Sequence, residues 1–168
     1  MTKQTLIIMR HAKSDWSTNV EDFNRPLNKR GFKDAEKMGT WLKKQKLVPD
    51  VIVSSPAKRA KQTIKIVCEH LGKDVKGIIW DERIYEAGLD DLVNVVTEHG
   101  KKAKHMLLAG HNPGLDHLVN HFSQDRLPRT AAGKLMTTAA IAVMEFQNGI
   151  TDKQGTGKVV KLARPKEL

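Results

Sequence analysis

A single cysteine, Cys68, in a chain of 168 residues excludes an internal disulfide. Its place among apolar residues of a helical pattern marks it as a core side chain rather than a reactive thiol. No apolar stretch approaches the roughly 20 residues needed to span a bilayer, since the run at 6–9 is cut off by Arg10 and His11. That start also lacks the form of a secretory signal, so the expected setting is cytoplasmic, with no membrane partner. Aromatic residues make up only 5% of the chain, and no segment gathers them into a platform for stacking bases. The formal net charge is +10, but the lysines are spread along the whole sequence. No specific nucleic-acid partner is therefore expected, although the field still favours a phosphorylated one. There is no repeat, linker or low-complexity segment, and no Cys or carboxylate cluster with metal-ligand spacing.

What is present is ordinary for a globular protein: 39% hydrophobic and 29% charged residues, in a length that suggests one domain over 1–168 with a real core. Short apolar runs at 5–9, 51–54 and 105–109, bounded by polar or turn residues, predict buried strands. Between them apolar residues recur at helical spacing: Phe32, Ala35, Met38 and Leu42; Ala60, Ile64, Val67 and Leu71; then Leu89, Leu92, Val93 and Val96, closed by Gly100. Leu115, Leu118, Val119 and Phe122 repeat the pattern. The alternation predicts an α/β fold, a single three-layer sandwich with a mainly parallel sheet and helices on both faces. Near the end the rhythm changes, and 138–146 and 158–163 predict an antiparallel hairpin at one edge. Residues 165–168 are expected to fray.

Ligands of open parallel sheets gather beyond the carboxyl ends of the strands. Arg10 and His11 follow the first strand. Ser54, Ser55 and Pro56 follow the second, with Arg59 close behind. Gly110, His111, Asn112 and Pro113 follow the third. Ser55-Pro56 and Asn112-Pro113 predict capped helix starts whose positive ends face the same crevice. Arg59, a cation in a first helical turn, opposes the dipole by about 0.3–1 kcal/mol unless an anion lies between them. A surface pairing with a neighbouring carboxylate would remove that conflict too. Two arginines flanking His11 and His111 argue against a metal there, because they would repel a cation. His70, His99, His105, His117 and His121 lack such a context and read as structural.

These residues resemble the histidine phosphatase superfamily, also called phosphoglycerate-mutase-like, and in particular its small phosphohistidine phosphatase branch. The likeness spans nearly the whole chain. It rests on Leu-Ile-Ile-Met-Arg-His-Ala-Lys-Ser-Asp-Trp-Ser (6–17), Arg-Pro-Leu-Asn-Lys-Arg-Gly (25–31), Val-Ile-Val-Ser-Ser-Pro-Ala-Lys-Arg-Ala-Lys-Gln-Thr (51–63) and Gly-His-Asn-Pro-Gly-Leu (110–115). The resemblance implies a phosphate pocket of Arg10, His11, Arg59 and His111 with His11 as nucleophile, and a proton donor for which Glu86 is the choice and Glu82 the runner-up. Ala12 stands where the family usually has Gly, and Lys13 where an acid often follows. Ser17 stands where larger members tend to have Asn, and is expected to donate to phosphate.

The implied activity is a phosphatase working through phosphohistidine on His11, without metal or organic cofactor, on a phosphorylated protein or a small phosphorylated molecule. A chain this short leaves little room for a lid, which favours protein phosphohistidine. Protonated His111 and the arginines would neutralise the phosphoryl group, while a backbone carbonyl would hold the second nitrogen of His11 as N–H. A phosphatase or mutase acting on a small phosphate ester, and a non-catalytic phosphate-binding module, are the rival readings. The sequence leaves oligomeric state open.

Overall fold

The computed structural model describes residues 2–168. Strand β1 (Gln4–Arg10) leads to α1 (Lys29–Lys44), β2 (Val51–Ser54) and α2 (Lys58–Leu71). The short β3 (Ile79–Trp80), α3 (Leu89–Gly100), β4 (His105–Gly110) and α4 (Gly114–Phe122) follow, and β5 (Ile141–Phe146) and β6 (Lys158–Ala163) close the chain. The six strands form one sheet in the order β3-β2-β4-β1-β5-β6. The first four are mutually parallel, and β5 and β6 are antiparallel to their neighbours.

The central strands are apolar on both sides, and successive side chains serve opposite cores because a strand has a period of two. Leu6 and Ile8 of β1, with Met106 and Leu108 of β4, pack against α3 and α4. Ile7 and Met9, with Leu107 and Ala109, pack against α1 and α2. The chain leaves β1 for a helix on one face and leaves β4 for a helix on the other, so a crevice opens where these neighbouring strands end.

Local chemistry sets the helix ends near that crevice. The Asn28 side chain caps α1 by accepting from Gly31 N–H at 2.8 Å. Gly31 is needed because a Cβ there would stand 2.1 Å from the Lys13 carbonyl oxygen, so only glycine lets α1 approach the turn that follows β1. Helix α2 stops at Gly72, whose left-handed backbone (φ 68°) closes the last turn.

Several expectations need correction. Phe32 does not join the core face of α1 and is 39% exposed; Gly31 and Asp34 occupy that face instead. The two helices start later than the Ser-Pro and Asn-Pro pairs suggested, at Lys58 and Gly114. Ser55 accepts from Ala57 N–H in the turn before α2, which frees its hydroxyl for another partner. Strand β5 begins at Ile141, since 138–140 lie in the turn that supports the site. The two-residue β3 was not foreseen. The C-terminal segment does not fray. Pro165 is buried and its carbonyl accepts from Lys37 at 2.7 Å, while Arg164 donates to the carbonyls of Leu135 (2.9 Å) and Pro128 (2.6 Å). Cys68 is buried in the core, and burial pushes its thiol up to about 11.

Among the described residues no helix is long and apolar enough to cross a membrane.

Candidate active site

The ends of β1, β2 and β4 are tied to one another before any side chain is considered. His11 N–H donates to Gly110 O (3.0 Å), and His11 O accepts from Ala139 N–H (3.0 Å). Ser55 N–H donates to Ala109 O (3.0 Å). Thr63 of α2 accepts from Ala12 N–H (3.0 Å) and donates to Arg59 O (2.8 Å), linking the turn after β1 to the first turn of α2. Three strand ends and one helix start are therefore tied into one frame.

On that frame the structure brings Arg10, His11, Arg59 and His111 together in the wall of one cavity of about 720 Å³. His11 Nδ1 lies 2.7 Å from the carbonyl oxygen of Ala12. A carbonyl can only accept, so Nδ1 carries the hydrogen and Nε2 keeps its lone pair. Burial is the main reason that the His11 pKa falls to about 3, with His111, Arg59 and Arg10 adding to the depression. The ring is neutral at ordinary pH, the state a nucleophile requires.

His111 faces His11 with ring centroids 5.1 Å apart. Its Nε2 is 2.7 Å from Ser55 Oγ. The Ser55 hydroxyl, which accepts from Ala57 N–H, can donate to Nε2; in that tautomer the ring hydrogen is on Nδ1, a buried nitrogen with no protein partner among the described residues. Burial and then Arg59 pull the His111 pKa to about 4. The protonated His111 expected from the sequence is thus neutral in the free site; the cations that would help it bind an anion also oppose its own charge. Arg10 and Arg59 likewise keep a buried Nε without a partner. Unmatched donors of this kind cost about 1–3 kcal/mol each, which suits a place built to receive anionic oxygens.

Arg10 also donates from Nη1 to Met136 O (3.0 Å), and Asn112 Nδ2 donates to the same carbonyl (2.8 Å). Arg59 donates to Asp22 twice, from Nη1 to the backbone oxygen (2.7 Å) and from Nη2 to the carboxylate (3.1 Å). The Asp22 carboxylate also accepts from Arg25 (2.6 Å) and from the Tyr85 hydroxyl (2.6 Å). Tyr85 donation first, then both arginines, hold its pKa well below the usual carboxylate range, while the same bond pushes the phenol up to about 12. Tyr85 packs edge-on against His111 with centroids 5.6 Å apart. Nothing in the sequence around Asp22 or Tyr85 announced these roles, because the partners lie 37 and 63 residues apart.

Two expected site residues are not brought in. Ser17 is exposed and donates to the Asp15 carboxylate at 2.6 Å, and it does not line the cavity. Glu86 is exposed at a left-handed backbone position (φ 54°), and neither it nor the runner-up Glu82 lines the cavity. Ser55, read from the sequence only as a cap, is the hydroxyl that orients His111. Of the histidines set aside, His99 pairs with Asp81 at 3.0 Å and His121 meets Asp152 O at 2.9 Å. Among the described residues no group of three or more His, Cys, Asp or Glu side chains is placed to hold a metal ion.

The chain is similar to several known proteins in sequence and in fold. The sequence profile of the histidine phosphatase superfamily (branch 1) matches residues 6–113. An uncharacterized protein of Mycobacterium tuberculosis is 33% identical over 105 residues, which are 62% of this chain and 63% of that protein. The chain therefore spans less than two thirds of the length of that relative. A 2,3-bisphosphoglycerate-dependent phosphoglycerate mutase of Parvibaculum lavamentivorans is 27% identical over 153 residues, 80% of this chain and 73% of the mutase. Among solved structures, a chain from Nakamurella multipartitia provisionally described as the phosphohistidine phosphatase SixA matches with a TM-score of 0.81 at 25% identity, over 98% of both chains. A protein histidine phosphatase SixA complexed with tungstate matches with a TM-score of 0.81 at 23% identity, over 98% of this chain and 99% of that one.

Proposed function

Because the chain belongs to the histidine phosphatase superfamily, branch 1, we propose that it is a phosphatase in which His11 takes the phosphoryl group onto Nε2 and water then releases it. The observation that carries this reading is the 2.7 Å contact from His11 Nδ1 to Ala12 O, which leaves Nε2 unprotonated beside Arg10, Arg59 and His111. The incoming group brings roughly −1.5 to −2 charges at neutral pH. Arg10 and Arg59 meet that charge, and Nδ1–H of His111 is a further donor. In a loose transition state, charge is spread over three equatorial oxygens, so fixed donors of this kind supply most of the rate by positioning and electrostatics.

The first step forms the bond from His11 Nε2 to phosphorus and breaks the bond to the leaving group. A phosphohistidine whose second ring nitrogen is protonated beforehand leaves as neutral imidazole, so this step then asks little of a protein acid. That matters here, because Glu86 and Glu82 stand outside the cavity. In the second step water attacks phosphorus, His11 regains its lone pair, and inorganic phosphate departs. The proposed cycle uses no metal and no organic cofactor.

Protein phosphohistidine is the substrate class the site supports best. The connections at 11–28 and 123–140 form walls rather than a helical cover, leaving the cavity open to a side chain on another protein. Similarity to the chain described as a phosphohistidine phosphatase points the same way. The relationship to the mutase keeps a small phosphate ester as the second reading. Incubating the enzyme with a phosphohistidine protein, an aryl phosphate and a phosphoglycerate, and measuring released phosphate and acid-labile label on the enzyme, separates them. A fully active His11→Ala variant would end the nucleophile assignment.

A further inference from the structure

Trp16 is 77% exposed, yet its indole is held in place. The Arg25 guanidinium lies 3.6 Å from the ring centroid. Arg25 is in turn only 8% exposed, fixed by bonds to Ser14 Oγ (3.0 Å) and Asp22 (2.6 Å). An aromatic ring braced from behind is pre-organised contact surface, since covering it costs little side-chain freedom. Trp16 also forms part of the wall of the candidate active site.

Above the four groups at the centre, the same wall carries Lys13, Arg30, Lys134 and Lys166 against one carboxylate, Asp34, which already pairs with Arg30 at 3.3 Å. Lys13, Lys134 and Lys166 are exposed and make no ion pair among the described residues. They come from three separate parts of the chain: the turn after β1, the connection before β5 and the C-terminal turn. Arg164 holds the last two together through the carbonyls of Leu135 and Pro128.

We propose that Trp16 with Lys13, Lys134 and Lys166 is a docking surface for an acidic polypeptide segment flanking the phosphorylated residue. This rests on the phosphatase reading for what happens at His11. Charge complementarity selects the partner: the wall is cationic beyond what a single phosphoryl group requires, and its three free lysines come from separate segments of the chain. The exposed indole selects its size. A polypeptide crossing the wall can bury the exposed Trp16 ring, and braced aromatic residues are the usual anchors of such contacts.

The test compares two short phosphohistidine peptides, one flanked by aspartates and one by lysines, at low salt. The aspartate peptide is expected to show a kcat/KM about tenfold higher, the size of one interface anchor or a few charge pairs. That ratio should collapse toward one in Lys134→Glu/Lys166→Glu, and kcat/KM for the aspartate peptide should drop in Trp16→Ala. A ratio near one in the unaltered enzyme overturns the proposal. If neither peptide is turned over, the phosphatase reading is what fails, and anisotropy with the labelled, unphosphorylated peptides then decides the docking. Tighter binding of the aspartate peptide that is lost in Trp16→Ala supports it, and equal binding of both peptides sinks it. Circular dichroism checks the fold of Trp16→Ala, and the double lysine variant carries the test alone if that variant is unfolded. Inorganic pyrophosphate competing as strongly as the aspartate peptide would overturn a polypeptide as the occupant.

Discussion

The imidazoles of His11 and His111 stand 5.1 Å apart, centroid to centroid, with their planes inclined at 53°. Burial first, and then Arg59 and Arg10, lower both values, and His111 adds to the depression at His11, so the folded-state values fall to about 3 and about 4. Burial is the main reason the pair stays neutral, and the arginines that make the site cationic add to it.

Stability should report this directly. Both values lie below the ordinary histidine value of about 6.5, so from there down to about pH 4 the unfolded chain binds more protons than the folded one. The contribution is fully present above pH 6.5 and is lost progressively as pH falls through the folded-state values. Each group costs up to about 1.4 kcal/mol for each pH unit crossed in that window. Asp22 and Asp81, whose values are also depressed, add their own loss only below about pH 4. The urea midpoint should therefore fall between pH 7 and pH 4.5, and fall less in His11→Gln and His111→Gln. A midpoint flat over that range in the unaltered protein would contradict the neutral pair.

Anion binding should reverse the effect at His111. A bound dianion favours the charged imidazolium, so its pKa rises on binding. Titration calorimetry with tungstate near pH 6, in buffers of different ionisation enthalpy, should show proton uptake of between zero and one per site. His111→Asn should abolish that uptake. Proton release, or none, would show that His111 stays neutral beside the anion.

The fold was largely legible because its signals are local. Residues 6–9 and 106–109 are apolar on both faces, as buried parallel strands must be, and the helical stripes of α2 and α4 coincide with their buried faces. Phe32 misled because an apolar residue at the right spacing can still project past the core when a glycine and a buried acid take the inner positions. The gathering of side chains into one cavity was legible where chemistry lies next to a strand end, as at Arg10, His11 and His111. It was illegible where function depends on a partner distant in sequence: Asp22 with Arg59 and Tyr85, or Arg164 with the 128–135 wall. The expected fraying at 165–168 failed for the same reason, because Lys37, 128 residues away, anchors Pro165 through its carbonyl.

On the proposed phosphatase reading Asp22 competes with phosphate for Arg59, since its carboxylate sits 3.1 Å from Nη2. Asp22→Asn removes a negative charge beside the site and should tighten tungstate binding by about three- to tenfold, an electrostatic gain of roughly 1 kcal/mol. It should lower stability by about 1 kcal/mol or less, because the side chain is 47% exposed and solvent screens the pair. Competitive inhibition by tungstate and a urea titration measure the two effects. Weaker tungstate binding would mean that Asp22 matters by holding Arg59 in place rather than by opposing the anion.

Glu86 offers a contrast between an expected acid and its observed setting. It is exposed, lies outside the cavity and has φ 54°, a left-handed backbone that costs a side-chain-bearing residue about 1 kcal/mol relative to glycine. Glu86→Gln should change kcat for a phosphohistidine substrate by less than about threefold, and Glu86→Gly should raise stability by about 0.5–1 kcal/mol. A loss of about a hundredfold in Glu86→Gln, the scale of general acid catalysis, would return the residue to the mechanism.

Gly31 couples the packing of α1 to the turn that carries His11, the proposed nucleophile. An added Cβ would stand 2.1 Å from the Lys13 carbonyl oxygen, which is backbone and also accepts from Asn28 N–H at 3.0 Å. The overlap cannot be relieved by a side-chain rotation, so α1 or the turn at 11–14 must shift. Gly31→Ala should cost about 1–3 kcal/mol of stability, the range seen for overpacking, despite alanine's better helix propensity. Because that turn carries His11 and the Ala12 carbonyl that sets its tautomer, kcat should fall as well, with the loss larger than in an equally destabilised core variant such as Val67→Ala. If Gly31→Ala matches Val67→Ala in both midpoint and kcat, the close approach of α1 has no bearing on the nucleophile.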